Sequence, residues 1–373
     1  MKTALITSVF VLVNAYGLFI DQKFEWKKVK SLDGKKADEW IDGLTVTEAT
    51  KTALKLATKL GEKFNEDEDF GKFYDHILKF NKNYGSEAEV AHRFEVIKSS
   101  LRDIEKYQHA NPEAKYGLTA LSDLTKEEFH KHYANLQKKD LEALFPKNKN
   151  NRPTNSSKKL LAPDSHDWRA EGKVSGVKDQ KQCGSCYAFA SVGAIESMHA
   201  IRRGDLFDLS VQQAISCSDN SGCGGGNPGT VLQYFVDNGI TTWDSFPYTS
   251  GDDQQVPPCE PGDSVTQLDG MNQLNGNDED GLKESIFNNG PIVSTVDASP
   301  LQHYEGGIIH YQVGSNNINH AVLTVGYDNE NGDDYYLIKN SWGDGFGEGG
   351  YFRCGRNQND MNIALYNCAA YIN

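Results

Sequence analysis

The distribution of cysteine divides this chain into two parts. All seven cysteines lie between Cys183 and Cys368, and none occurs in the first 182 residues. Six cysteines can form three disulfides, and a seventh in a secreted protein indicates either an intermolecular link or a free reactive thiol. We therefore expect a disulfide-bonded globular domain in the C-terminal part and a different kind of structure before residue 160.

Residues 1–17 have the pattern of a secretory signal peptide. A lysine at position 2 precedes an apolar run from Ala4 to Val13, and small residues suited to cleavage follow at Ala15 and Gly17. A membrane anchor is the alternative, but about ten apolar residues are too few to cross a bilayer. The sequence predicts the secretory pathway, with no membrane partner.

Charge separates the same two parts of the chain. Residues 160–373 carry 28 acidic and 10 basic side chains, which leaves 24 acidic and 28 basic of the totals of 52 and 38 for the residues before them. We expect the two parts to attract each other at neutral pH, and protonation of carboxylates in acid to weaken that attraction. The formal net charge of −14 argues against nucleic acid as a partner.

Three segments follow the candidate signal peptide before the cysteine-containing part. Residues 18–68 are predicted to be a polar extension with one helix from Thr47 to Phe64, and residues 69–134 a helical domain. Residues 135–160 are predicted to be an exposed linker, because the stretch from residue 147 is basic and almost free of apolar side chains. Asn155 begins an Asn-x-Ser sequon in this linker and is a candidate glycosylation site.

The helical domain shows the periodicity of a long amphipathic helix. Apolar residues recur there at spacings of three and four, the spacing of one helix face; they are Val90, Phe94, Ile97, Leu101 and Ile104. Pro112 and Gly117 end this helix. Thr125, with Glu128 three residues later, is predicted to cap the next one.

Cys183 and Cys186, three positions apart at the start of an apolar run, allow three interpretations. A zinc site would need two more ligands at comparable spacing, and the secretory route favours disulfides over metal-bound thiolates. A thioredoxin-like redox pair would need a preceding strand, whereas the residues before Gln180 have a loop-like composition. The sequence therefore argues against a metal site. It favours the third interpretation, in which one cysteine is a nucleophile and the other is structural.

Cys186 is the better placed of the two to be that nucleophile. It lies in the first turn of a helix predicted to run to Arg203 and to be closed by Gly204, where free N–H groups and the helix dipole stabilise a thiolate. His320, 134 residues downstream at the start of a predicted strand, could accept the thiol proton, and Asn340 could orient its imidazole. Groups so far apart in sequence can meet only between two lobes.

These residues resemble the papain and cathepsin L family of cysteine proteases over roughly residues 162–371. The motifs that carry the resemblance occur in the family's order: DWRAEGKVSGVKDQ, QCGSCYAFA, SGCGGGNPG, NGITTWDSFPY, NHAVLTVGY and KNSWGDGFGEGGY. The resemblance implies an α+β, two-lobed papain-like fold for residues 161–373, with a helical left lobe that carries Cys186 and a β-barrel-like right lobe that carries His320. It also implies a helical propeptide domain in front of them, over residues 69–134.

The resemblance assigns a role to each candidate catalytic residue. Cys186 is implied to attack the scissile carbonyl, His320 to pair with it and protonate the leaving amine, and Asn340 to fix the imidazole. Gln180 is implied to donate, with the Cys186 backbone N–H, to the oxyanion. Trp342 is implied to cover the bond between Asn340 and His320. No cofactor is expected.

The resemblance also implies disulfides and a substrate cleft. Its pairs are Cys183–Cys223 and Cys217–Cys259, which leaves Cys354 for Cys368, although the family's usual third bridge lies elsewhere. In the cleft, Gly225 and Gly226 are expected to pair with an extended peptide, and Pro228 to form a wall of the S2 pocket. Alignment leaves two positions open for the floor of that pocket, Tyr366 and Cys368.

The N-terminal part resembles the inhibitory propeptide of the same family. Six residues match the spacing of its long-helix motif, namely Glu89, Arg93, Ile97, Ser100, Ile104 and Gln108, with the usual residues replaced at Ile97, Ser100 and Gln108. In GLTALSD, Gly117 and Asp123 keep the pattern of the next motif, whereas Thr119 and Leu121 replace its Asn and Phe. This segment is expected either to inhibit the protease or to act only as a folding aid.

The sequence thus predicts a secreted or lysosomal zymogen of a cysteine endopeptidase, activated by cleavage in residues 135–160 and favoured by acid. The expected partners are peptide or protein substrates and its own propeptide, and the protein is expected to be a monomer. Two alternatives remain open, a catalytically silent scaffold of the same fold and a peptide ligase, which would use the same Cys-His-Asn set for acyl transfer.

Overall fold

The structure, a computed structural model, describes residues 26–61, 63–64, 67–136, 161–312 and 317–373. The candidate signal peptide, Asn155 and all of the predicted linker after Leu136 lie outside the described residues. The chain forms two units, one up to Glu95 and one from Val96 to Asn373. No helix in the described ranges is long and apolar enough to cross a membrane.

The first unit is helical. Its elements are α1 (Trp26–Val29), α2 (Gly34–Asp42), α3 (Glu48–Gly61), α4 (Glu68–Lys79) and the start of α5 (Glu87–Ala110). An aromatic core holds them together, with Phe70 at 5.0 Å from Trp26 and 4.9 Å from Phe94 between ring centroids. The predicted helix from Thr47 to Phe64 is confirmed as α3. The two helices before it were not predicted, because α1 has only four residues and α2 only nine, most of them polar.

In the second unit, two short elements follow the end of α5. Strand β1 (Ala114–Tyr116) is tied to α5 by Gln108, whose side chain donates to the carbonyl of Ala114 at 2.7 Å and accepts from the N–H of Tyr116 at 3.1 Å. Helix α6 (Lys126–His132) begins with the predicted capping box, since Thr125 and Glu128 bond reciprocally to each other's N–H.

The remaining helices precede most of the sheet along the chain. They are α7 (Cys186–Arg203), α8 (Val211–Cys217), α9 (Pro228–Asp237), α10 (Ser250–Asp253) and α11 (Glu279–Asn289). Helix α7 is buried from Cys186 to Ala200, so it forms the centre of an apolar core with α8 and α9. The predicted order, a helical half followed by a β half, is confirmed.

The strands described in this unit join in one sheet in the order β1-β5-β8-β7-β6-β4-β9-β3, with β2 beside β6. Their bounds are β2 (His166–Asp167), β3 (Gly270–Gln273), β4 (Ile292–Val296), β5 (Tyr304–Ile309), β6 (His320–Glu330), β7 (Asp333–Lys339), β8 (Tyr351–Gly355) and β9 (Asn367–Tyr371). All neighbours are antiparallel except β5 and β8. A second apolar core lies on this half and includes Ile292, Tyr336 and Phe352.

Two of the three implied disulfides are present, and the third prediction was wrong. Cys183 is bonded to Cys223 and Cys217 to Cys259, so Cys183 is neither a zinc ligand nor the redox partner of Cys186. Cys354 and Cys368 are buried free thiols. They lie on β8 and β9, four strand spacings apart in the sheet, or about 19 Å. A disulfide needs Cα atoms within about 7 Å.

This arrangement predicts three titratable thiols per chain. Unfolded in denaturant without reductant, the protein should release Cys186, Cys354 and Cys368 to a thiol reagent, because all seven cysteines lie in described residues and four are bonded. The number is measured by titrating the thiols and dividing by the protein concentration. One thiol per chain would restore a bridge between Cys354 and Cys368.

Candidate active site

Cys186 is the first residue of α7. The turn before it contains Cys183, which is bonded to Cys223. Its thiol is 1% exposed. Burial raises the pKa of the Cys186 thiol to about 11, although the backbone N–H groups of Ala321, Tyr187 and Asn135 oppose that shift. The proximity of Ala321 matters because that residue follows His320 in the chain. The start of α7 therefore lies against the start of β6.

His320 and Asn340 meet because their strands are neighbours. His320 begins β6 and Asn340 follows the end of β7, and these two strands pair antiparallel. Nε2 of His320 lies 2.8 Å from Oδ1 of Asn340. The same Oδ1 accepts from the N–H of Ser341 at 2.8 Å, which identifies it as the amide oxygen.

This bond fixes the tautomer of the imidazole. An amide oxygen can only accept, so Nε2 of His320 carries the proton and Nδ1 keeps a free electron pair. Nδ1 is buried and has no hydrogen-bond partner among the described residues. Burial lowers the pKa of His320 to about 4, against the opposing effect of the Asn340 hydrogen bond. The imidazole is thus a neutral base with its accepting nitrogen unoccupied.

Gln180 is held on the turn before Cys186 by bonds to Ser341, the residue after Asn340. Its backbone N–H donates to the carbonyl of Ser341 at 2.8 Å, and its side-chain oxygen accepts from the Ser341 hydroxyl at 2.7 Å. The amide nitrogen faces two carbonyls, those of Cys183 at 3.0 Å and His132 at 3.1 Å. The donor expected to stabilise an oxyanion therefore bonds to a residue of α6.

Residues 132–136 run along the same cleft. The N–H of Leu136 donates to the carbonyl of Asn319 at 2.8 Å, next to His320. Nδ1 of His132 lies 3.0 Å from the carbonyl of Gln182. A Cβ on Gly225 would stand 2.4 Å from the carbonyl oxygen of Asn135, and Gly225 has a φ of 102°, so both the contact and the backbone conformation require glycine. Residues 132–136 thus cover Cys186, Gln180 and Gly225, and the start of the predicted linker, at Asn135 and Leu136, is not the exposed segment that was predicted because Leu136 is 5% exposed.

The other predicted cleft residues have different surroundings. A Cβ on Gly226 would meet Asn220 and Tyr187 rather than the covering segment. Pro228 is the buried first residue of α9, and its carbonyl accepts from the Ser191 hydroxyl. Trp342 lies 4.8 Å from His320 between ring centroids, at an interplanar angle of 32°, and is 7% exposed. Its ring packs against the imidazole, and coverage of the bond between Asn340 and His320 stays a prediction.

The structure also separates the two candidates for the floor of the S2 pocket. Cys368 is fully buried within the sheet, paired with Val293 and Gln273. Tyr366 is half-buried and packs against the apolar core that includes Leu136, which is 5% exposed. Both positions belong to or border the apolar core that includes Leu136, and of the two only Tyr366 is partly exposed.

Ser341 was not among the predicted site residues. This residue bonds to both Asn340 and Gln180 and so links the two amide side chains of the site. Its position directly after Asn340 was a usable signal, because a polar residue beside a buried amide must find partners. Within the described residues, no group of three or more His, Cys, Asp or Glu side chains could hold a metal ion.

Comparison with known proteins finds a different family model on each part of the chain. Residues 162–371 match the family described as papain family cysteine protease, and residues 73–129 match the cathepsin propeptide inhibitor domain. Germination-specific cysteine protease 1 of Arabidopsis thaliana is 34% identical over 308 residues, which cover 79% of this chain and 81% of that protein. A viral cathepsin of Orgyia pseudotsugata multicapsid polyhedrosis virus is 36% identical over 303 residues, covering 78% and 88%.

Solved structures of precursors resemble this one. The digestive procathepsin L 3 of Tenebrio molitor larval midgut superposes with a TM-score of 0.71 and 34% identity, over 82% of this chain and 100% of that one. This chain belongs to the papain family of cysteine proteases. It has the two-lobed α+β papain-like fold, preceded by a helical propeptide inhibitor domain of the cathepsin type.

Proposed function

We propose that this protein is a cysteine endopeptidase made as an inactive precursor, and that Cys186, His320, Asn340 and Gln180 carry out hydrolysis. The observation that supports it most directly is the tautomer of His320, whose Nε2 proton is engaged by Asn340 while Nδ1 is left to accept a proton. The base lies where β6 meets the start of α7, the helix that begins with the nucleophile.

In the proposed reaction, Nδ1 of His320 takes the thiol proton of Cys186, and the sulfur attacks the scissile carbonyl carbon. The carbonyl oxygen becomes an oxyanion that accepts from Nε2 of Gln180 and from the backbone N–H of Cys186. His320 then gives its proton to the leaving amine, which leaves a thioester. Water, deprotonated by His320, hydrolyses the thioester and regenerates the thiol.

The propeptide is proposed to inhibit by occupying these same groups. The carbonyl of His132 takes the donor of Gln180, and the backbone of Asn135 covers Gly225 and Cys186. Burial under this segment also favours the neutral forms of both Cys186 and His320, because it raises the pKa of the thiol and lowers that of the imidazole. Activation then requires removal of the segment, with cleavage proposed in residues 135–160.

The buried position of Leu136 supports a substrate preference for bulky apolar side chains at P2. Leu136 is buried in the core that α7, α8 and α9 form, and Tyr366 packs against that core. We propose Tyr366, rather than Cys368, as the pocket residue that limits side-chain length. The proposed substrate-binding set is completed by Gly225, Gly226, Pro228 and Trp342.

Entry into the secretory pathway, followed by lysosomal or extracellular delivery, is part of the proposal. Two disulfides fit an oxidising route, and residues 1–17 have the signal-peptide pattern. Glycosylation at Asn155 and action as a monomer stay predictions from the sequence.

The test is hydrolysis by the purified full-length chain after incubation between pH 4 and pH 7. We expect a shortened chain that cleaves a fluorogenic peptide with leucine at P2 and releases free acid product, and no processing or cleavage by Cys186→Ala. Adding an amine nucleophile separates the reaction types, since a ligase would give mostly amide product. A shortened wild-type chain without any cleavage would leave the silent-scaffold alternative.

A further inference from the structure

The turn from Asp179 to Ser185 must be held accurately if the proposed function is right. It carries Gln180 near one end, and its other end leads into Cys186, so it sets the distance between the two oxyanion donors. Displacements of about 1 Å in such a site cost up to about a hundredfold in rate. The turn includes Lys181 at a φ of 51°, a conformation uncommon for residues other than glycine.

One hydroxyl outside the site contacts both ends of this turn. Oη of Tyr248 lies 2.7 Å from the backbone carbonyl of Gln180 and 3.2 Å from Oγ of Ser185, the residue before Cys186. A carbonyl can only accept, so the tyrosine proton goes to Gln180 and the phenol oxygen can accept from Ser185. The single proton of the Ser185 hydroxyl is shared between the phenol oxygen and the carbonyl of Cys183, which also lies 3.2 Å away within the same turn.

Tyr248 is itself held in place by helices α7 and α8 of the left lobe. Its ring packs edge-on against Phe189, with centroids 5.1 Å apart. The next two residues, Thr249 and Ser250, donate their N–H groups to the buried side chain of Gln212 at 2.9 and 3.1 Å. Gln212 lies on α8, a helix of the apolar core.

A charged contact joins the same two segments. The ammonium of Lys181 pairs with Asp252 of α10. Both side chains are exposed, so this pair contributes little by itself. The tyrosine hydroxyl is partly buried and bonds to a backbone carbonyl, so it is the contact that can set the geometry of the turn. On the other side, Gln180 is bonded to Ser341, and Tyr248 therefore completes a clamp on the turn from both lobes.

We propose that Tyr248 is a positioning residue that fixes the turn between Gln180 and Cys186 in the arrangement needed for oxyanion stabilisation, an inference that rests on the function proposed above. Tyr248 touches neither substrate nor Cys186 in this scheme. It acts through the backbone carbonyl of Gln180 and the residue that precedes the nucleophile.

The test compares Tyr248→Phe with Tyr336→Phe as matched control. Tyr336, on β7, also donates to a backbone carbonyl, that of Glu279 at 3.2 Å, and is fully buried, but it lies outside the site. For mature enzyme titrated for active sites, we expect Tyr248→Phe to lower kcat about tenfold with KM changed less than twofold, and Tyr336→Phe to change neither.

A second readout separates positioning from general damage. A peptide aldehyde places its hemithioacetal oxygen where the oxyanion forms, so its inhibition constant should rise by the same factor as kcat falls. Alkylation of Cys186 by iodoacetate needs no oxyanion donor and should keep the wild-type rate. If kcat is unchanged, or if kcat, alkylation rate and melting temperature all fall together, Tyr248 has no specific positioning role. A wild-type chain without hydrolytic activity would overturn both this inference and the proposed function.

Discussion

Iodoacetate will alkylate Cys186 about a thousandfold faster after the propeptide has been removed than before. In the precursor the thiol is 1% exposed, and burial raises its pKa to about 11, so only about one molecule in 10⁴ is a thiolate at pH 7. Only the thiolate reacts, and a thiol paired with an imidazolium can have a pKa as low as about 3.5. Lower intrinsic nucleophilicity of such a thiolate removes part of the gain.

The measurement is peptide mapping of the labelled chain, with hydrolysis of a fluorogenic peptide followed in parallel. Cys354 and Cys368 serve as internal controls, because both are fully buried and burial also raises their pKa values. Label should appear on Cys186 alone, and the loss of hydrolysis should be proportional to the fraction of Cys186 labelled. The variant Cys186→Ala should show neither labelling nor hydrolysis. Equal labelling rates in precursor and mature enzyme would mean that the propeptide does not control the thiol.

The secondary structure and the elements that carry the site were predictable from local pattern. Helix α5 followed from the spacing of residues such as Val90 and Phe94, and α6 from its capping box. The positions of His320 and Asn340 at the ends of two strands followed from motifs that resemble a known family. Local sequence was sufficient to predict an element where its pattern, such as apolar residues at spacings of three and four or a capping box, is compatible with only one kind of secondary structure.

Long-range pairing was not predictable in the same way. The proposed bridge between Cys354 and Cys368 followed from a count of cysteines, but strand order in the sheet separates β8 from β9, and no local pattern records that order. Contacts of the propeptide were missed for the same reason. Ser100 and Gln108, which replace the family's usual residues, still bond to the carbonyls of Ser122 and Ala114 at 2.7 Å, so the departures from the motif preserve the packing of α5.

The opposite charge of the two parts stays a predicted trigger for activation in acid, and the direct contact that the structure describes between them contributes little to it. The ion pair described between the propeptide and the protease joins Lys115 to Glu305 at 3.0 Å, with side chains 75% and 26% exposed. Exposed pairs contribute about 0–1 kcal/mol. A buried group that changes its charge between pH 7 and pH 4 would have a larger effect, and His303 fits that description.

His303 lies where the propeptide binds the protease. It ends the short helix Ser299–His303, is 2% exposed, and places Nδ1 2.9 Å from Oγ of Ser122. The carbonyl of His303 accepts from the N–H of Gly117 at 2.9 Å. Neighbouring β5 accepts β1 as a partner, and a Cβ on Gly307, whose φ is 85°, would stand 2.3 Å from the carbonyl of Glu113. Release of the propeptide therefore uncovers His303.

Burial lowers the pKa of His303 to about 4. The charge of Asp103 opposes this shift, and the charge of Lys126 adds to it. Lys126 and Asp103 form an ion pair with each other at 2.8 Å. With an ordinary value near 6.5 after release, the released form binds one more proton between pH 6.5 and pH 4. The contribution of His303 to propeptide binding is therefore fully present above pH 6.5 and is lost as the pH falls towards 4. At pH 5 the difference is 1.5 pH units, or about 2 kcal/mol.

His303→Asn will therefore slow conversion of the precursor at pH 5 by about tenfold or more and leave it unchanged at pH 7. Asparagine can replace the Nδ1 contact with Ser122 but cannot take up the proton that drives release. Conversion is followed by gel at fixed pH, so that the pH dependence of the mature enzyme cancels between variants. His109→Asn, at an exposed position on α5, should convert like the wild type. Should His303→Asn keep the wild-type profile while 1 M salt accelerates conversion at pH 7, the charge difference between the two parts would be the trigger instead.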